Sequence, residues 1–263
     1  MDNYLETNRK AWNSKVPVHL SSSFYYVEEF KKGKSSLNEI ELALLEEVKS
    51  KSILHLQCHF GQDSLSLSRM GAMVTGVDFS DIAINTARSL ALELNLDAEF
   101  IESDVYALPE KLDKQFDIVF TSYGTIGWLP DLNKWAAVIA NFLKAGGLFV
   151  MADFHPVVWM YDDNFEETSY GYFNRASFVE TVLGTYADKN SNIEHTTVNW
   201  NHSIADILNA LIKNGIGIEQ FNEFDYSPYN CLNHTVEIEP GKFQIIGKEG
   251  KIPMVYSIFG KKK

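Results

Sequence analysis

Between Ile53 and Phe154 the chain repeats one unit, a short apolar run followed by a turn and a helix-like pattern. "SILHLQ" runs into the helical "DSLSLSRMG", and "MVTGVD" into "DIAINTARSLALELN". "AEFIES" is a third apolar run and "FDIVFTS" a fourth; a helix from Asp131 through Leu143 then leads to "GGLFVMADF". Such runs bounded by turns fit strands buried on both faces. Strands alternating with helices pair in parallel through right-handed crossovers. The alternation therefore predicts an α/β chain built on a parallel sheet.

The flanks read differently. Residues 1–34 are mixed and carry aromatics at Tyr4, Trp12, Phe24, Tyr25, Tyr26 and Phe30. "SSLNEIELALLEEVKS" predicts a helix, with Ser36 and Glu39 as an S-x-x-E capping box and Leu37, Ile40, Leu44 and Val48 at helical spacing. After Phe154, "SFVETVLGTYAD" and "IEHTTVNWNHS" predict an antiparallel pair around "KNSN". A helix capped by Ser203 and stopped by Gly215 follows, then the strand "IGIEQFNEF", a loop over 225–251 and a last strand, "IPMVYSIFG". The expected organisation is an N-terminal arm and helix (1–50), a first half of the main domain (51–154), an insertion (155–200) and a second half (201–263), with arm and insertion covering a site.

Composition narrows the partners. Thirty-five acidic against 23 basic residues give a net charge of −12. No broad cationic surface exists to release counterions from nucleic acid. Cys58 and Cys231 form neither a disulfide framework nor a CxxC pair. "MDNYLETNRKAW" lacks the apolar core of a signal peptide, and no apolar run reaches bilayer-spanning length. The expectation is a soluble cytoplasmic protein with a small-molecule partner, no nucleic acid and no membrane; a homodimer is compatible with it.

In an open parallel sheet, ligands bind at the carboxyl ends of the strands, where the winding reverses. The loop after the first strand, "LHLQCHFGQD", leads into a helix N-terminus, which offers free N–H groups. Asp78 ends the second strand, 21 residues beyond Gln57, where a carboxylate commonly accepts ribose hydroxyls. "DFSD" also allows Ser80 to cap the next helix. His55 and His59 lack helical spacing and a third ligand, so no metal is expected.

Five segments in order carry a resemblance to the class I S-adenosylmethionine-dependent methyltransferases: "ILHLQCHFGQDSLSLSRMGA", "VTGVDFSDIAINTAR", "FIESDVYALP", "FDIVFTSYGTIGWLPDLNKW" and "FLKAGGLFVMADF". The resemblance implies a Rossmann-like sheet of seven strands in the order 3-2-1-4-5-7-6, the last strand antiparallel, with helices on both faces. It implies S-adenosyl-L-methionine as cofactor. Gln57, Cys58, His59 and Gly61 would form the cofactor loop, Asp78 would hold the ribose, and Phe79 and Ser80 would follow it. Asp104 and Val105 would meet the adenine, and Ser122 and Tyr123 would border the sulfonium. The departures lie in the first motif. His55 replaces the usual acid, Gln57 and His59 replace two glycines, and Gly61 alone matches. Asp63 reads either as a dipole partner of its helix or as a holder of the cofactor's ammonium.

Methyl transfer to a hydroxyl needs a base, and His155, after the fifth strand, is the candidate, with Tyr123 beside it. Trp12, Tyr25, Tyr26 and Trp159 are candidates for a substrate pocket, and an aromatic cage would attract a cationic amine. The leading expectation is an enzyme that methylates a small N, O or S nucleophile. Its rivals are an NAD-linked oxidoreductase and a non-catalytic S-adenosylmethionine-binding protein.

Overall fold

A computed structural model describes residues 3–45 and 47–263. The central sheet has seven strands in the order β3-β2-β1-β4-β5-β11-β8. They are β1 (Ser52–Leu56), β2 (Met73–Asp78), β3 (Ala98–Glu102), β4 (Phe116–Ser122), β5 (Leu143–Phe154), β8 (Ile216–Phe224) and β11 (Val255–Lys262). The first five pair in parallel, and β11 runs antiparallel to both β5 and β8. This is the predicted order, and winding reverses between β1 and β4.

Alternate strand residues face opposite ways. Leu54 and Leu56 of β1 pack with Trp135, Ile139 and Phe142 of α6 (Leu132–Phe142) and with Ile207 and Leu211 of α7 (Ile204–Lys213). Ile53 joins Leu67 of α4 (Gln62–Arg69) and the apolar residues Leu37, Leu44, Leu45 and Val48. A third cluster joins Leu65 to Ile84 and Ala87 of α5 (Asp81–Leu94), to Phe100, and to Val16 of α1 (Tyr4–Ser21). The predicted caps hold at Ser80 and Ser203, and Asp131 caps α6 as well; each accepts the N–H three residues on.

Four readings of the flanks need correction. The mixed N-terminal stretch holds an 18-residue helix, α1, and a short α2 (Val27–Lys31). The helix predicted over 35–50 shrinks to α3 (Glu39–Leu42), although its apolar set is buried; Glu46 lies outside the described residues. Its capping box is Asn38 with Glu41, not Ser36 with Glu39, because the Ser36 hydroxyl is drawn to Asp63 Oδ1 at 2.6 Å. The 225–251 loop contains a hairpin, β9 (Thr235–Glu239) with β10 (Lys242–Ile245). The 155–200 stretch does contain an antiparallel pair, β6 (Phe178–Leu183) with β7 (Glu194–Asn199), as expected.

Candidate active site

Three residues of the loop after β1 are left-handed: Gln57 at φ 57°, His59 at 51° and Gly61 at 81°. An L side chain in this region costs roughly 1–2 kcal/mol, so the surroundings must hold it. Gln57 Nε2 donates to Thr125 O at 2.8 Å. The His59 N–H donates to Asp78 Oδ2 at 2.9 Å, and the Cys58 N–H to Val77 O at 2.9 Å. The His59 Nε2 is hydrogen-bonded to His19 Nδ1 at 2.9 Å, and the ring lies among Trp12, Tyr25 and Phe60. Gly61 allows no substitute, since a Cβ there would sit 2.7 Å from the Phe100 ring. Sequence reasoning left open whether this loop keeps a glycine path; three left-handed residues at alternate positions keep it.

Asp78 is buried at the end of β2. Its Oδ1 accepts the Ser80 N–H and its Oδ2 the His59 N–H. Burial outweighs these donors and raises its pKa to about 6. Asp104, after β3, accepts the Tyr106 N–H at 3.1 Å, and Val105 beside it is buried. An open cleft of about 370 Å³ runs past Phe79, Glu102, Ser103 and Asp104 and is roofed by Asn3, Leu5, Glu6 and Arg9 from the N-terminal arm. Beside it, a space of only about 20 Å³ is lined by Gln57, Phe79, Asp104, Val105 and Trp128 and by Tyr4, Leu5 and Asn8 of α1.

α1 is the element that sequence reasoning missed here. Asn13 bonds Ser80 and Asp81, which seats the helix over the β2–α5 junction. Asn8 bonds Val198 of β7 in both directions, so arm and excursion are fastened together. Lys15, also on α1, is 6% exposed, and its ammonium lies 4.8 Å from the Trp12 ring centroid and 5.5 Å from that of Trp128. Among the described residues it has no carboxylate partner, and burial lowers its pKa to about 8. Burial keeps His19 and His195 neutral, at about 3 and about 4. His19 Nε2, His195 Nδ1, Trp12 Nε1 and Gln57 Oε1 are buried without partners. Lys15 carried no sequence signal, because its burial is created by the two tryptophans.

Tyr123, at the carboxyl end of β4, is also left-handed, at φ 38°. Its hydroxyl donates to Glu41 Oε2 at 2.7 Å. Asp153 fixes the following turn by accepting from the backbone of Gly124, Thr125 and Ile126. Asp63 accepts from Ser36 and from Ser122, at 2.6 and 2.9 Å. His55 bonds Ser64 at 2.8 Å beneath the loop, and burial pulls its pKa down to about 3.

The candidates on the flanks divide. Trp12 and Tyr25 stand against His59. Tyr26 is exposed, with Lys34 over its ring, and Trp159 is exposed against Phe154. His155 does not join Tyr123. Its Nδ1 accepts the Val157 N–H at 3.2 Å, its ring meets the edge of Tyr256, and Nε2 lies 3.0 Å from Glu223 but outside hydrogen-bond geometry. The Pro156 turn and β11 draw it to that side of the sheet. Among the described residues no group of three His, Cys, Asp or Glu side chains could hold a metal, and no helix is long and apolar enough to cross a membrane.

Residues 53–147 match the family described as "Methyltransferase domain". This segment is a methyltransferase domain of class I fold. Curated relatives include the ubiquinone biosynthesis O-methyltransferases of Shewanella pealeana, 26% identical over 57% of this chain and 57% of that protein, and of Photorhabdus laumondii, 32% identical over 37% and 40%. The chain thus spans less than two thirds of the relatives it matches. Among solved structures, geranyl diphosphate C-methyltransferase from Streptomyces coelicolor A3(2) is similar, at TM-score 0.63 and 16% identity over 99% of this chain and 98% of that one. An S-adenosylmethionine-dependent methyltransferase from Clostridium acetobutylicum gives TM-score 0.58 at 13% identity over 97% and 98%. The family match ends within β5, before the excursion and β11, and the structural likeness carries the fold to the end of the chain.

Proposed function

We propose that the protein transfers a methyl group from S-adenosylmethionine to a small-molecule acceptor. The observation that carries this reading is the left-handed path of Gln57, His59 and Gly61 above the Asp78 carboxylate. Residues that break the glycine pattern keep its backbone at an energetic cost, which favours a retained binding loop. A carboxylate offers about four acceptor positions, and Asp78 uses two of them within the chain. The Phe79 N–H also favours the carboxylate, and the remaining acceptor capacity would serve the ribose.

One orphaned polar atom, Gln57 Oε1, and the buried Lys15 fit the rest of the cofactor. Phe79, Ser103, Asp104 and Val105 line the adenine end. Lys15 would hold the cofactor's carboxylate, which answers a buried cation without a partner. Gln57 Oε1 would accept from its ammonium, one of the two tasks the sequence left open for Asp63, whose oxygens serve Ser36 and Ser122. When bound, the cofactor supplies an electrophilic methyl group on a sulfonium. The chain's part is to orient the reactants and exclude water. Tyr4, Leu5 and Asn8 of α1 line the inner end of the cleft, so α1 would border a seated adenosyl ligand. The arm and the 155–200 excursion act together as the cover, and a cytoplasmic location belongs to the same reading.

Calorimetry with S-adenosylmethionine, S-adenosylhomocysteine and NAD tests it. The expected result is binding of the first two and not of NAD. Absence of S-adenosylmethionine binding sinks the reading, whereas binding without turnover on any amine, phenol or thiol leaves a non-catalytic binder.

A further inference from the structure

Glu41 is fully buried, and it divides its two oxygens between two tasks. Oε1 accepts the Asn38 N–H at 2.6 Å and closes the cap of α3. Oε2 is left to the Tyr123 hydroxyl. A cap alone can be made at the surface, where a carboxylate keeps its hydration; a charge taken out of water normally requires a partner of opposite sign. None stands here. The titratable groups that face Glu41 are Tyr123 from the end of β4, Asp63 from α4 and Tyr229 from the segment before β9. Tyr229 packs edge-on against Tyr123, with ring centroids 5.0 Å apart. Tyr123 itself is only partly buried, and its strained backbone is locked by the Ala152 carbonyl and by the Asp153 clamp on the next turn. The result is a phenol fixed at the carboxyl end of the sheet, backed by a carboxylate that no cation neutralises.

We propose that Glu41 is the final proton acceptor of the transfer, a positioning residue acting through Tyr123 on an acceptor that carries an O–H or N–H hydrogen. The inference rests on the methyltransferase reading. The acceptor's O or N lone pair forms the new bond to the methyl carbon, and the carbon–sulfur bond breaks with its electron pair left on sulfur. The acceptor's proton passes to Tyr123 Oη while the Tyr123 proton passes to Glu41 Oε2. Tyrosine is regenerated neutral, and once product has left, the proton on buried Glu41 returns to solvent by the reverse relay through Tyr123. Burial beside Asp63 raises the Glu41 pKa to about 7, where a base acts effectively at neutral pH.

The test compares wild type, Glu41→Gln, Glu41→Asp and Tyr123→Phe with catechol, benzyl alcohol and benzylamine, using thiophenol as an acceptor that needs no base. With the protic probes, Glu41→Gln should lower kcat about 100-fold, leave KM within about threefold, and abolish an acid limb in kcat centred at about pH 7; Glu41→Asp should restore part of the rate. Transfer to thiophenol should change little. Independently of turnover, a ¹³C-labelled glutamate resonance should titrate at about 7 in wild type and be missing from Glu41→Gln. Equal loss with thiophenol and catechol would mark Glu41 as purely structural and overturn the proposal. So would a wild type that binds S-adenosylmethionine yet methylates no protic probe, or a Glu41 resonance with no titration near neutrality. Failure to bind S-adenosylmethionine is the separate failure of the underlying reading.

Discussion

The Asn8 side chain completes a strand-like pair with Val198: its Nδ2 donates to Val198 O at 2.7 Å, and its Oδ1 accepts the Val198 N–H at 2.8 Å. One amide on α1 thereby ties the N-terminal arm to β7 across 190 residues of chain. Asn8→Ala leaves both backbone groups without partners, at about 1–3 kcal/mol each if water cannot reach them. The expected outcome is faster hydrogen exchange at the Val198 amide, and faster association of S-adenosylhomocysteine because the cover lifts more readily. Unchanged exchange at Val198 and an unchanged association rate would show that the arm is held by other contacts.

Lys15 sets stability against binding. Its pKa falls from 10.5 to about 8 on folding, so the folded state binds fewer protons between those values. Below pH 8 burial of the ammonium opposes folding by on the order of 3 kcal/mol, and the penalty fades as pH rises from about 8 toward 10.5. Lys15→Met should therefore raise stability to urea at pH 7, with a gain that shrinks in alkali. The same variant should weaken S-adenosylhomocysteine at least about tenfold, the loss of a charge-assisted contact, and leave 5′-methylthioadenosine, which lacks the carboxylate, unaffected. Equal weakening of both ligands would remove Lys15 from the carboxylate's partners.

The strain at Gln57 is separable from its hydrogen bond. Gln57→Ala and Gln57→Gly both lose the contact to Thr125 O, but only glycine relaxes at φ 57°. The glycine variant should be the more stable of the two by about 1 kcal/mol, read from urea midpoints at equal slope. Alanine matching glycine would mean that the loop re-forms along another path.

His55 gives the fold an acid limit. Its pKa is 6.5 when unfolded and about 3 when folded, because desolvation disfavours the cation. Between those values the unfolded chain binds the extra proton, so stability falls as pH drops below about 6.5 and stops falling near 3. Relative to His55→Gln, wild type should lose about 2 kcal/mol between pH 7 and pH 5. A pH-independent difference between the two would show that His55 titrates alike in the folded and the unfolded chain.

The strand–helix alternation, the caps at Ser80 and Ser203, and the placement of Asp78 at a strand end were legible because they depend on neighbours within a few residues. The same locality misled at Ser36, where a tertiary carboxylate, Asp63, outcompeted the local cap, and at 1–34, where helical order arises in a stretch with weak amphipathic patterning. Sequence alone determined a parallel sheet with its loop after β1 facing Asp78, since hydrophobic period and chain connectivity leave few alternatives. Only the tertiary structure decided that Gln57 and His59 adopt left-handed backbones, that His155 turns toward Tyr256 while Glu41 reaches Tyr123, and that Lys15 is buried. Each of these is set by partners distant in sequence, whose burial alters protonation and backbone energy in ways that no local pattern encodes.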